Sequence, residues 1–154
     1  MKHLIPEFDR LRERFPAGFE SSLVLPCVRR IQEDRGYVSD ADIQELAAYL
    51  GVPQIQIEEV LSFYTMFRRK PVGRWHLQFC HNVSCSMNGA ENIVGYVQKK
   101  LGLAPGQTSA DGRYTLSVVE CLGSCGTAPM MMVNEAYHEN LTRERVDELL
   151  EGLK

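Results

Sequence analysis

The sequence predicts an α+β protein: a helical bundle over residues 1–70, then an α/β domain with a mixed sheet over residues 71–154. Three observations carry this reading. Apolar residues recur at spacings of three and four through the first 70 positions. At Pro71-Val72-Gly73 the pattern changes, and Arg74 to Cys80 alternates with period two. Four of the five cysteines then fall into two close pairs, Cys80 with Cys85 and Cys121 with Cys125, separated by 35 residues.

The first helix is expected from Ile5 to Phe15, with Ile5, Phe8, Leu11 and Phe15 on one face, ended by Pro16 and Gly18. Ser21 or Ser22 can cap a second helix that runs to about Arg35, with Pro26 near its first turn and Gly36 as the stop. Ser39 caps a third helix, Asp40 to Leu50, which turns Ile43, Leu46, Ala47 and Leu50 inward and has acids in its first turn. Gly51 stops it, and Pro53 opens a fourth helix carrying Ile57, Val60, Leu61 and Tyr64. Short amphipathic helices on short loops make a small bundle.

Beyond the linker, Arg74 to Cys80 reads as a strand that ends on the first cysteine. Ser86 to Leu101 reads as a helix with Ile93, Val94, Val97 and Leu101 inward, and its positive end falls near Cys85. Tyr114 to Glu120 is a second strand, delivering Cys121. Met130 to Val133 is a buried strand, since methionine readily fills cores. A turn at Asn134-Glu135 leads to a short strand around Tyr137-His138, and Thr142 starts a last helix to about Leu153.

The 154 residues carry a formal charge of −3, with 24% charged and 44% hydrophobic residues. This is ordinary globular composition. The acidic excess argues against nucleic-acid binding, which needs a basic footprint. No run reaches the ~18 apolar residues of a membrane span, so direct membrane insertion is not expected. The start lacks the apolar region of a secretory signal and the Arg/Ser-rich, acid-poor character of a transit peptide. Such a chain belongs in a reducing compartment, where clustered thiols mean metal or redox chemistry rather than disulfides.

Cys27 stands alone in the apolar stretch Leu23 to Val28 and reads as core. The paired cysteines fit four thiolates on one centre, and the spacing leaves a [2Fe–2S] cluster and structural zinc both open. Thioredoxin-type redox pairs use Cys-x-x-Cys, which is absent. A Rieske centre needs two histidines; His81 adjoins Cys80, but no second one lies near Cys121 or Cys125. The segment from Cys121 to Gly126 is rich in small residues, which bring backbone N–H groups close to a centre, while the Cys80–Cys85 loop leaves a strand and enters a helix. No Gly-x-Gly-x-x-Gly or Walker sequence occurs. Arg68-Arg69-Lys70 reads as a solvated turn, with steering of an acidic partner as the alternative.

The segment Cys121-Leu122-Gly123-Ser124-Cys125-Gly126-Thr127-Ala128-Pro129, preceded by Cys80-x4-Cys85, resembles the thioredoxin-like [2Fe–2S] ferredoxins in the form of the NuoE-type subunit of respiratory complex I. Phe63-Tyr64-Thr65-Met66-Phe67, the Gln32-x3-Gly36 element and Asp111-Gly112-Arg113-Tyr114 extend the resemblance over nearly the whole chain. It implies a thioredoxin-like fold for residues 71–154, with Pro129 just before a buried strand, where such folds often hold a cis proline; the peptide geometry settles whether it is cis. It implies one [2Fe–2S] cluster ligated by Cys80, Cys85, Cys121 and Cys125, and the ligand pattern shows no departure. It further implies an electron-transfer subunit of NADH:quinone oxidoreductase, not catalytic alone. That subunit packs against a larger flavoprotein carrying FMN, the NADH site and a [4Fe–4S] cluster, among other peripheral-arm subunits. The implied location is cytoplasmic, peripheral on the inner membrane through the complex, or the matrix side in an organelle. An equivalent module serves NAD-linked hydrogenases and formate dehydrogenases. A zinc-stabilised interaction module without redox chemistry is the alternative of a different class. Phe63, Tyr64 and Phe67 are expected either in a partner-docking surface or in core between the domains.

Overall fold

A computed structural model of the protein describes residues 1–153. Helices dominate the first seventy residues and strands begin only after them, giving two compact units that divide between Pro71 and Val72.

The first unit contains α1 (Ile5–Arg12), α2 (Val24–Arg35), α3 (Asp40–Leu50) and α4 (Gln54–Phe63). Its core gathers Phe8, Leu23, Val24, Cys27, Val28, Ile31, Ile43, Leu46, Ile57, Leu61 and Phe67. These are the positions at spacings of three and four, so each helix buries one stripe. Cys27 is fully buried and burial pushes its thiol up to about 12. Ser39 and Asp42 form a reciprocal capping box at the start of α3. Buried Asp42 also accepts from Arg35 at 2.5 Å, which joins the end of α2 to the start of α3.

Several boundaries differ from the sequence expectation. α1 ends at Arg12, before Phe15. Neither Ser21 nor Ser22 caps α2; a short 3-10 turn, Glu20–Leu23, runs straight into it, and no side chain bonds to its first amides. Tyr64 lies just past α4, with extended backbone. Arg69 is not simply solvated, because its guanidinium pairs with both Asp40 and Glu58, bracketing α3 and α4. The aromatic stretch is split: Phe67 is core of this unit, whereas Phe63 is 77% exposed.

The second unit is built on β1 (Trp75–Cys80), β2 (Tyr114–Val119), β3 (Met131–Val133) and β4 (Ala136–His138), in spatial order β2-β1-β3-β4. β1 runs parallel to β2 and antiparallel to β3, and β3 is antiparallel to β4. The fold is thus an N-terminal helical bundle followed by an α/β domain with a mixed sheet. β1 is central, so its polar residues are buried along with its apolar ones. His76 reaches Ser117 at 2.8 Å, and the Gln78 amide donates to the Asn134 carbonyl at 3.5 Å. Leu77, Phe79, Leu116, Met131 and Val133 pack with Ile93, Val94 and Val97 and with Val146 and Leu150.

The helix expected from Ser86 to Leu101 is two: α5 (Val83–Met87) and α6 (Ala90–Leu101). Gly89 between them has φ of 85°, a left-handed conformation that ends one helix and admits the next. α6 therefore begins after the cysteine loop, at Ala90, and that first residue packs in one cluster with Cys80 and Cys85. The last helix, α7 (Arg143–Gly152), starts on a Thr142 cap and is tied to α6, where Tyr96 and Lys100 both donate to Asp147.

Candidate metal centre

Two parallel strands side by side release their chains at the same end of a sheet. Here those chains carry the cysteines. Cys80 is the last residue of β1 and sits in register with Val119, the last residue of β2. His81 N–H donates to the Val119 carbonyl at 3.2 Å, so the pairing persists one step beyond the strand. Cys121 follows two residues after β2.

From Cys80 the chain turns at Asn82, whose side-chain oxygen accepts from the Val83 amide, and enters α5 with Cys85 inside it. From Cys121 it turns at Gly123, where φ is 77°, and reaches Cys125 at the start of a 3-10 turn, Cys125–Thr127. The two loops are joined by Ser84, whose hydroxyl donates to the Cys125 carbonyl at 3.1 Å. The Ala128–Pro129 peptide that follows is cis.

Cys80 and Cys85 are buried in a small apolar cluster with Ala90 and Met130, and Leu122 and Ala128 pack against it. Burial raises the Cys85 thiol above its ordinary value, and its neighbour Cys80 adds to the effect. The Cys80 thiol donates to the Glu120 carbonyl at 3.9 Å. Cys121 and Cys125 are exposed. Among the described residues, no three His, Cys, Asp or Glu side chains converge as a ready metal-holding group. The structure therefore brings the inner pair together and places the outer pair on the neighbouring loop, facing out.

The donor set fits an iron–sulfur cluster in two respects. It is all thiol, which suits sulfide-bridged iron. It already has a backbone donor on a sulfur, since Gly123 N–H points at Cys121 Sγ from 3.3 Å. His81 lies 3.5 Å from Glu120 Oε1 and is half-exposed, a loop position rather than a fifth donor.

One group near the site has no local signal in the sequence. The Glu139 carboxylate accepts from both the Ser124 and Thr127 hydroxyls, which flank Cys125. These two bonds hold the Glu139 carboxyl below the usual carboxylate range. Ser124 and Thr127 are visible as small polar residues of the cysteine loop, but nothing in local spacing joins them to a residue fifteen positions from Ser124.

The sequence profile for thioredoxin-like [2Fe–2S] ferredoxins matches residues 8–154. A Rhizobium meliloti protein named as a subunit of NADH-quinone oxidoreductase is 39% identical over 148 residues, covering 96% of this chain and 87% of its own. An Escherichia coli K12 protein, likewise named as an NADH-quinone oxidoreductase subunit, is 42% identical over 130 residues, covering 84% of this chain and 78% of its own. Among solved structures, an NAD+-reducing [NiFe]-hydrogenase superposes with a TM-score of 0.71 at 24% identity, over 82% of this chain. This chain spans 22% of that hydrogenase chain, and the likeness is one of fold. By its profile match and these relatives, the chain belongs to the thioredoxin-like [2Fe–2S] ferredoxin family.

Proposed function

We propose that this chain is an electron-transfer subunit that holds one [2Fe–2S] cluster on Cys80, Cys85, Cys121 and Cys125. The carrying observation is the delivery of both cysteine pairs by paired parallel strand ends, with Cys80 in register with Val119. When bound, such a cluster accepts and releases one electron at a time. The protein's part is to present four thiolates and to surround them with donors. β1 and α5 supply two thiols from an apolar wall that excludes water. The glycine-containing loop after β2 supplies the other two, Cys121 and Cys125, from the exposed side. Backbone N–H groups such as that of Gly123 offset the negative charge of sulfur and lower the cost of adding an electron.

The names of the relatives support a place in NADH:quinone oxidoreductase. The neighbours we propose there, a larger flavoprotein with FMN, an NADH site and a [4Fe–4S] cluster among other peripheral-arm subunits, rest on the family resemblance. Val83 and Met87, both strongly exposed beside Cys85, give an apolar rim for such a neighbour. Among the described residues no helix is long and apolar enough to cross a membrane. Association with the membrane then comes through the complex.

Anaerobic purification tests this reading. The expected product is red-brown, contains iron and sulfide in equal amounts, and bleaches with dithionite. A colourless chain with tightly bound zinc would overturn it in favour of a structural zinc module. A flavin- and NAD-binding chain that copurifies with quinone reductase activity supports the complex I role. Copurification with a hydrogenase or formate dehydrogenase assigns the same module to that enzyme instead.

A further inference from the structure

The loop that carries Cys121 and Cys125 is secured by a segment that contributes no thiol. After β4 the chain runs back alongside residues 127–129. Asn140 N–H donates to the Thr127 carbonyl at 2.8 Å, and Leu141 N–H donates to the Pro129 carbonyl at 2.9 Å. Asn140 has a φ of 50°, a left-handed value that asparagine tolerates better than most residues. This backbone seam carries the side chain of Glu139 to the 3-10 turn.

There, Oε1 of Glu139 accepts from Ser124 Oγ and, at 2.6 Å, from Thr127 Oγ1. The two hydroxyls are 2.8 Å from each other, and the Thr127 amide donates to the Ser124 carbonyl at 3.2 Å. Each hydroxyl has one proton to give, and an ionised carboxylate oxygen can accept both. The result is a closed clasp around Ser124-Cys125-Gly126-Thr127. A negative carboxylate beside thiolates and an electron-accepting centre is unfavourable by Coulomb's law. Its contribution must therefore come through the loop it holds.

We propose that Glu139 is a positioning residue for the cluster: by clasping Ser124 and Thr127 it fixes the turn that aims the Cys125 thiolate, and it slows loss of the ligand loop. This role rests on the four-cysteine reading of the site. The seam of backbone hydrogen bonds does not involve the carboxylate, so the fold survives its removal.

The test uses the full chain, purified with its cluster, as Glu139→Ala, Glu139→Gln and the double variant Ser124→Ala/Thr127→Val. Iron release to a chelator is followed by visible absorption, and the dithionite-reduced protein is examined by electron paramagnetic resonance. Loss of two charge-assisted bonds predicts iron release about tenfold faster in Glu139→Ala, with a broadened resonance. Glu139→Gln keeps an acceptor oxygen and is expected to recover most of the retention and the native line shape. The double variant should match Glu139→Ala, and combining all three changes should add nothing, because one clasp is being opened. Wild-type release rates and line shape in Glu139→Ala, or independent additivity of the changes, would overturn the proposal. A wild-type chain without iron and sulfide would remove the four-cysteine reading and this role together, an outcome separated by metal analysis before any variant is made.

Discussion

The main-chain amide of Arg68 donates to the side-chain oxygen of Gln32 at 2.6 Å, and the nitrogen of the same Gln32 amide donates to the Met66 carbonyl at 2.9 Å. Gln32 thus behaves as a short piece of strand, pairing with the chain on both sides of Phe67. Phe67 is buried in the core, while Met66 is exposed beside it. Gly36 N–H donates back to the Gln32 carbonyl at 2.7 Å, with φ of 83° at Gly36, so the helix end that bears Gln32 is itself pinned.

Gln32→Ala removes both bonds and leaves a backbone donor and acceptor to water. The expected cost is about 1–3 kcal/mol for the first unit. Faster hydrogen exchange at Arg68, with the secondary structure content unchanged, is the specific signature. Unchanged exchange at that amide would show that the clasp does not hold the segment.

Serine in place of any one of Cys80, Cys85, Cys121 or Cys125 should reduce or abolish the visible chromophore. Cys27→Ser should leave it intact, because Cys27 is in the core of the other unit. Iron and sulfide analysis of the five variants checks this. Chromophore loss in Cys27→Ser, with native secondary structure, would contradict the assignment.

Gly73 reads as a linker in the sequence, yet its backbone is closely packed. A Cβ there would lie 2.8 Å from the Tyr114 carbonyl carbon, and Gly73 N–H donates to Thr115 Oγ1 at 2.6 Å. Gly73→Ala should therefore destabilise the second unit by about 1–3 kcal/mol, through forced backbone movement. Urea unfolding followed by Trp75 fluorescence reports it, since Trp75 opens the neighbouring strand.

Burial of Cys27 gives a pH dependence with a defined sign. Its thiol is held neutral to about 12 in the folded chain, against an ordinary value of 9.0. Above that ordinary value the unfolded chain releases the proton and the folded one keeps it. Stability is then full below pH 9 and falls by about 1.4 kcal/mol per pH unit above it. The difference between wild type and Cys27→Ala in urea midpoints from pH 8 to 10.5 isolates this contribution. Parallel pH profiles would refute it.

The elements that alternate or repeat cleanly are legible in the sequence. Ile43, Leu46 and Leu50 mark α3, because one-sided burial imprints a period on the residues. Leu77 and Phe79 mark β1 although both faces are buried, because the alternate positions hold His76 and Gln78, which bond to Ser117 and Asn134. The break at Gly89 is hidden for the opposite reason. Ile93 to Leu101 make so regular a helical face that it reads backward through Asn88-Gly89, a dipeptide that itself signals a turn. The cysteine pairs are legible as chemistry, but their outward and inward division is not. That division depends on the packing of Met130, from a distant segment, and of Ala90, beyond the hidden break at Gly89, with Cys80 and Cys85. Glu139 is invisible on the same ground, since its partners are brought to it by the run of β3 and β4.

The parallel pairing of β1 with β2 also orders events in time. Antiparallel neighbours can meet through a tight turn, but parallel ones need a long crossover. Here the crossover runs from Cys80 to Tyr114 and contains α5 and α6. A growing chain therefore exposes its first two thiols long before their counterparts exist, and closing such a distant pairing is slow compared with helix formation. Strand β3 must then insert on the other side of β1, since it pairs with Leu77 to Phe79. On the four-cysteine proposal, loading of the centre therefore waits until β2 and β3 have both joined β1, after Val133 has been made.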